Sequence, residues 1–178
     1  MTEKKDIYEK AKDEMRLSER ILDALPGFRG YKEKELRRES DKLIRNHLYE
    51  KLTKARSDLK KVFQQLSQQR RFEVLTDMDI LVTKYDRVAE KINHASYGYA
   101  GFFNVMKVDE EKLDKMIDFD TQLIDEVQAI VDEASAFKKD ISQKMYEGAE
   151  DHIQKTNDAL EALEGVFDER GEIILGVK

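Results

Sequence analysis

Pro26 is the only proline in this chain, and its eight glycines are few for 178 residues. Proline and glycine are the strongest helix breakers, so little in the sequence stops a helix once it has started. The apolar residues recur at steps of three and four, the spacing of one buried helical stripe. Charged residues make up 39% of the chain and apolar ones 40%. That is too apolar for disorder, and it leaves each helix one solvated face. The pattern predicts an all-α protein: an elongated antiparallel bundle of four to five long helices with coiled-coil-like packing, in one domain over residues 1–178.

Taken in order, a first helix is expected over residues 4–25, with Tyr8, Ala11, Met15, Ser18, Leu22 and Leu25 as its seam; Pro26 and Gly27 stop it. A second is expected from Tyr31 to Gln69. Its stripe runs Leu36, Leu43, Ile44, Leu48, Leu52, Ala55, Leu59, Val62 and Leu66. A short polar link around residues 68–72 leads to a third, residues 74–95, which buries Val74, Met78, Leu81, Val82, Tyr85, Val88, Ala89 and Ile92. Asp109 is placed to cap a fourth, residues 110–146. Its stripe is Leu113, Met116, Leu123, Val127, Ile130, Ala134, Phe137 and Ile141, with Asp120 among them. A fifth, residues 149–167, either follows a break at Gly148 or fuses with the fourth. Residues 171–177 read as a short apolar tail that docks on the bundle or on a partner.

Two connections stand apart, residues 25–31 and 96–103. Together they hold Phe28, Tyr31, Tyr97, Tyr99, Phe102 and Phe103, and four of the eight glycines. If consecutive helices are antiparallel, both connections fall at the same pole. The rings then either plug the open end of the bundle or form a recognition surface for a partner or ligand, with Arg29 and His94 beside them. The plug is the simpler reading.

Charge is uneven. Residues 1–28 carry −1, residues 29–71 carry +8 and residues 72–178 carry −13. Lys32, Lys34, Arg37, Arg38, Lys42 and Arg45 form a basic segment that pairs with acidic neighbouring helices or meets an anionic partner. Acids interleave with these bases, so a clean nucleic-acid face is not expected. The absence of cysteine excludes disulfides and thiolate chemistry. No apolar run approaches the ~20 residues that span a bilayer, and there is no apolar signal core. The expectation is a soluble, cytoplasmic protein, with peripheral membrane association left open.

The stretches LPGFRGYKEKELRRESDKLIR (residues 25–45) and HASYGYAGFFNVMKVDEEKLDKM (residues 94–116) resemble the signatures of an uncharacterised family of bacterial and archaeal helical-bundle proteins. The resemblance covers mainly residues 20–130. It implies a helical fold and no assigned reaction, and it carries over no catalytic residue.

Carboxylate-bridged metal sites in helical bundles need Glu-x-x-His pairs. Ile44, Lys91 and Ala149 stand three residues before His47, His94 and His152, so that motif is missing and no metal or cofactor is expected. Asp120 occupies a stripe position, and a buried carboxylate needs a partner such as Arg37, Arg45 or another base. It either fixes register or carries a raised pKa in a pocket. The sequence points to a non-catalytic scaffold or adaptor that binds another protein and self-associates through exposed stripes or the tail. The rivals are a ligand-binding or catalytic pocket at the aromatic pole, using Asp120, His94, Tyr97 and Arg29, and a binder of anionic partners through the basic segment.

Overall fold

The computed structural model describes residues 16, 18–97, 100–104 and 107–177, and there is no strand among them. Residues 18–24 are helical (α1). A single 3-10 turn, Lys34–Leu36, precedes α2 (Arg37–Gln68); α3 (Phe72–His94), the one-turn α4 (Gly101–Asn104), α5 (Glu110–Ser142) and α6 (Ala149–Leu175) follow. Of the expected first seam, Tyr8, Ala11 and Met15 lie outside the described residues. Of residues 18–25 the buried ones are Ile21 and Leu25, and Leu22 faces solvent. Leu25 is thus buried as the seam expects, while Ile21 takes the buried place expected of Leu22.

The four long helices bury continuous stripes. Ile44, Leu48, Leu52, Ala55, Leu59, Val62 and Leu66 of α2 form one core with Val74, Met78, Leu81, Tyr85, Val88 and Ile92 of α3. Met116, Leu123, Val127, Ile130, Ala134, Phe137 and Ile141 of α5 join it, as do Leu160, Leu163 and Phe167 of α6. Helices of this length bury enough apolar surface only by packing on one another.

Residue pairing fixes the order of the helices. Tyr49 meets Glu90, Arg56 meets Asp86, and Tyr85 donates to the Leu52 carbonyl, so α2 and α3 are antiparallel. His152 reaches Glu133 and Asp140 while Arg170 reaches Asp120, so α5 and α6 are antiparallel as well. Lys84, Arg87 and Lys91 pair with Glu161, Glu164 and Asp168, a constant offset of 77 residues, and this makes α3 and α6 parallel neighbours. Asp41 and Asp58 of α2 stand level with Asp120 and Lys138 of α5, again in parallel. The passage from α3 to α5 thus crosses a diagonal between two antiparallel hairpins. The two Gly-rich connections share one pole, here called the near pole.

Both hairpin turns close in the same way. After α2, Arg71 N–H donates to the Leu66 carbonyl and Arg70 sits at φ +57°. After α5, Met145 N–H donates to the Asp140 carbonyl and Lys144 sits at φ +64°. This is the six-to-one bond of a Schellman cap, with a cation at the position usually held by glycine. The second turn separates α5 from α6, which settles the question at Gly148.

Three boundaries differ from the periodicity, the first being the end of α5, which falls at Ser142 and not at residue 146. The second helix starts at Arg37, not Tyr31, because the Tyr31 carbonyl accepts from Arg37 Nε (2.8 Å) and its ring turns into the core. At the other end of the chain no separate tail exists. α6 runs through Gly171 to Leu175, burying Ile173 and Ile174. Asp109 caps α5 by accepting from the Glu111 N–H at 3.2 Å.

Candidate functional site

The polar chemistry gathers at the near pole, inside the core. Asp120 of α5 and Arg170 of α6 are both 0% exposed. Arg170 Nε donates to Asp120 Oδ1 (2.7 Å), Nη1 to Asp41 Oδ1 (2.7 Å) and Nη2 to the Tyr31 hydroxyl (3.0 Å). The Tyr31 O–H in turn donates to Asp120 Oδ2 at 2.5 Å. Asp41 Oδ2 accepts from Arg45 Nε (3.0 Å), and Arg45 Nη1 reaches the Asn93 carbonyl at the end of α3 (3.1 Å). One guanidinium therefore ties the first connection, α2, α5 and α6 together, and Arg45 adds α3.

The three charged members stand on stripes, and Tyr31 comes from the connection before α2. Asp120 lies four residues after the buried Met116, and Arg170 three after Phe167. Asp41 lies three before Ile44. Asp120 meets neither Arg37 nor Arg45; its base is Arg170, which periodicity reaches only if the last helix is carried past Phe167. Asp41 and the Tyr31 hydroxyl were also not singled out as its partners. Continuing a stripe one step outward from its last buried apolar residue finds Arg170 and Asp41; no periodicity points to Tyr31, which lies in the connection.

Electrostatics follow from burial. Desolvation drives the Asp120 carboxyl above its ordinary value, opposed by the Arg170 charge and the Tyr31 hydrogen bond. Burial, with Asp120 beside it, pushes the Tyr31 phenol well up. Burial works against the Arg170 charge, but Asp120, Tyr31 and Asp41 outweigh it and hold the guanidinium protonated. Both oxygens of Asp120 and all three nitrogens of Arg170 are satisfied internally, so the cluster is closed by hydrogen bonding and sealed from solvent.

The aromatic rings roof this cluster. Phe28 and Tyr31 pack edge to face at 5.7 Å, Tyr31 and Phe102 at 5.6 Å, and Phe102 and Phe103 at 5.5 Å; Tyr97 lies 6.2 Å from Phe103. The two connections therefore meet. Phe28, Tyr31, Phe102 and Phe103 are buried, so these four rings form a plug and offer no surface to a partner. Tyr97 is half-buried with its hydroxyl shielded from solvent, and burial raises its pKa against the opposing charge of nearby Arg170. Tyr99 lies outside the described residues. Arg29 is exposed, as is His94, whose Nε2 lies 3.0 Å from Glu90.

The basic segment divides in the same way. Arg37 is buried, donating to the Tyr31 and Phe102 carbonyls, and is no part of a surface patch. Arg45 is held by Asp41. Lys32, Arg38 and Lys42 are exposed and Lys34 is half-buried; Arg38 stacks over the Phe103 ring at 4.8 Å. At the far pole, His152 stacks on Phe137 (4.7 Å) with its ring nitrogens against Glu133 and Asp140. Among the described residues no group of three or more His, Asp or Glu is placed to hold a metal ion, and no helix is long and apolar enough to cross a membrane. In comparisons with protein-family models, curated proteins and solved structures, nothing matches this chain.

Proposed function

We propose that this chain is a non-catalytic helical scaffold or adaptor that binds another protein, its long helices packed in the coiled-coil manner, working in the cytoplasm. One observation carries the reading: the groups with the most chemical potential, Asp120, Asp41, Arg170 and Tyr31, spend their hydrogen-bonding capacity on one another inside the core. A catalytic acid or base must reach a substrate proton, and a register-fixing polar cluster need not. The outer surface offers a groove between α3 and α6 with Ile80 exposed on its wall, and helix-in-groove binding seats an apolar helix face on such apolar positions. Self-association draws on the same surfaces, with Leu175 and Val177 exposed at the end of α6.

The rival, a ligand-binding or catalytic pocket at the aromatic pole, has one observation in its support. A groove there is lined by Pro26, Gly27, Arg29, Leu36, Glu39 and Ser40. Binding of an anionic partner draws on Lys32, Arg38 and Lys42 and predicts steep loss of binding with added salt.

Crosslinking of the purified full chain in cell extract, with native mass measurement of the purified protein, separates these. The adaptor reading expects residue-specific protein crosslinks and no retained small molecule. A retained small molecule without any protein crosslink overturns it.

A further inference from the structure

The seam between α3 and α6 changes character half-way along. Toward the near pole it is zipped by bases on α3 and acids on α6. Lys84 reaches Glu161 and Asn157, Arg87 grips Glu164 through both oxygens, and Lys91 bridges Glu164 and Asp168. The offset of 77 residues predicts what comes next toward the far pole. One turn before Lys84 stands Ile80, opposite Asn157; two turns before stands Asp77, opposite Gln154. The ladder therefore stops. α3 supplies an acid where its closed half supplies bases, and α6 continues with Glu150 and Asp151.

The seam opens at that point. A groove of about 540 Å³ lies between the helices, lined by Asp77, Ile80, Glu150, Asp151, Ile153 and Asn157 among others. Ile80 is 61% exposed on its wall, while Leu81 and Ile153 form an apolar floor. The bases nearby are already engaged: Lys155 with Asp151, Lys84 with Glu161, and Arg71 with Glu73 while stacked on Tyr146. Asp151 is neutralised by Lys155, which leaves Asp77 and Glu150 as the acids of the lining that a cation on an apolar stem would meet.

Elsewhere the molecule already lays a basic, apolar-anchored helix on an acidic one. α1 lies against α5 with Arg20 gripping the Asp125 carboxylate at 2.6 and 2.7 Å and Ile21 buried beneath it. A basic residue next to an apolar anchor, on a helix laid over an acidic helix, is the pattern the open seam calls for.

We propose that the far-pole half of the α3–α6 seam is a docking groove for a basic amphipathic helix of a partner protein, seated with its apolar face on Ile80, Leu81 and Ile153 and its bases against Asp77 and Glu150. This rests on the adaptor reading and gives it a surface and a partner chemistry. The mode is helix-in-groove recognition, in which apolar anchors supply affinity and rim charges supply orientation and rate.

The test uses the full chain and a fluorescent synthetic amphipathic peptide about 18 residues long, five turns at 3.6 residues each, with Lys and Arg on one face and Leu and Ile on the other. Fluorescence anisotropy is expected to show binding that Asp77→Lys/Glu150→Lys weakens by about tenfold or more, a change of about 1.4 kcal/mol. Ile80→Asp is expected to weaken it comparably. An Asp132→Lys/Glu169→Lys control, exposed and away from the seam, is expected to leave binding within about twofold, on the order of 0.4 kcal/mol. An acidic version of the peptide is expected to bind the Asp77→Lys/Glu150→Lys chain better than the parent. Circular dichroism confirms that each variant is folded. Equal weakening by seam and control variants overturns the proposal, because attraction to overall charge then explains the binding. Sedimentation showing a dimer that Ile80→Asp dissolves assigns the groove to a second copy and also overturns it. Protein crosslinks confined to other surfaces sink this groove and leave the adaptor reading standing; the absence of any protein partner sinks both.

Discussion

Arg170 on the last helix and Asp120 on the third long helix meet at 2.7 Å with neither side chain exposed to solvent. They are 50 residues apart in sequence. The same guanidinium crosses the bundle to Asp41, so one cation holds two carboxylates that would otherwise repel inside the core.

Removing that cation should therefore cost more than removing one carboxylate. Arg170→Met is expected to destabilise the fold by about 3–5 kcal/mol, because two buried carboxylates lose their base. Asp120→Asn is expected to cost less, since the amide still accepts one hydrogen bond and Arg170 keeps Asp41. In urea unfolding, the Arg170→Met/Asp120→Asn double variant should be more stable than the sum of the two single losses. Additive losses would show that the two groups do not act as a pair.

Tyr31 adds a second handle on the same cluster. Tyr31→Phe leaves Asp120 Oδ2 without its donor and is expected to cost roughly 1.5–3 kcal/mol. Burial raises the phenol pKa of Tyr31, and it also raises Tyr85 and Tyr97. A raised folded value means that stability is complete below the unfolded value near 10 and falls as pH climbs beyond it, by about 1.4 kcal/mol per unit for each such group. Absorbance titration of the native protein should therefore give the same tyrosinate amplitude for wild type and Tyr31→Phe up to the alkaline unfolding transition. In denaturant the variant should lack one of seven phenols. A native amplitude that falls in Tyr31→Phe before unfolding would place the hydroxyl in solvent.

The α3–α6 ladder makes the opposite pH prediction. The Arg87 hydrogen bond, helped by Lys91, holds the Glu164 carboxyl down at about 2 against partial burial. A depressed folded value gives stability that is present above the unfolded value and lost as pH falls toward the folded one. The urea midpoint of wild type should exceed that of Glu164→Gln at neutral pH. The gap should narrow below about pH 4.5 and be gone near about pH 2. A gap that stays constant through that window would mean Glu164 contributes through packing alone.

How much of this could be read beforehand differs by element. The stripes of α2, α3 and α5 are legible because every third or fourth residue from Leu48 to Leu66, or from Leu123 to Ile141, is apolar and buried. The meeting of the two connections at one pole follows from short links and antiparallel neighbours, and the ring contacts from Phe28 to Phe103 bear it out. The start of α2 is not legible. Residues 31–36 have good local helix chemistry, with acids and bases three and four apart, yet Tyr31 is drawn into the core and Arg37 takes its carbonyl. Tertiary packing overrides local propensity there. Arg170 was hidden by Gly171, which reads as a helix end but lies under the Tyr97 ring in mid-helix. The diagonal crossover leaves no trace in periodicity, since a stripe records that a face is buried and not which helix buries it.

The last prediction is a set of four substitutions, three stabilising and one destabilising. Arg70 and Lys144 hold left-handed backbone at φ +57° and +64°, where a side chain is strained by roughly 1–3 kcal/mol. Glycine there relieves that strain and loses some chain entropy, so Arg70→Gly and Lys144→Gly should each stabilise the fold by about 1 kcal/mol. Gly30, at φ +74°, has open space around the position of an added Cβ, so nothing clashes with a methyl group. Gly30→Ala should nevertheless destabilise by about 1 kcal/mol through the backbone alone. Gly165 in mid-α6 has the same open space and ordinary helical backbone, and Gly165→Ala should stabilise by about 0.5–1 kcal/mol. Thermal or urea unfolding of the four variants checks the signs together. If Gly30→Ala and Gly165→Ala shifted the midpoint in the same direction, backbone conformation would not be what separates the two sites.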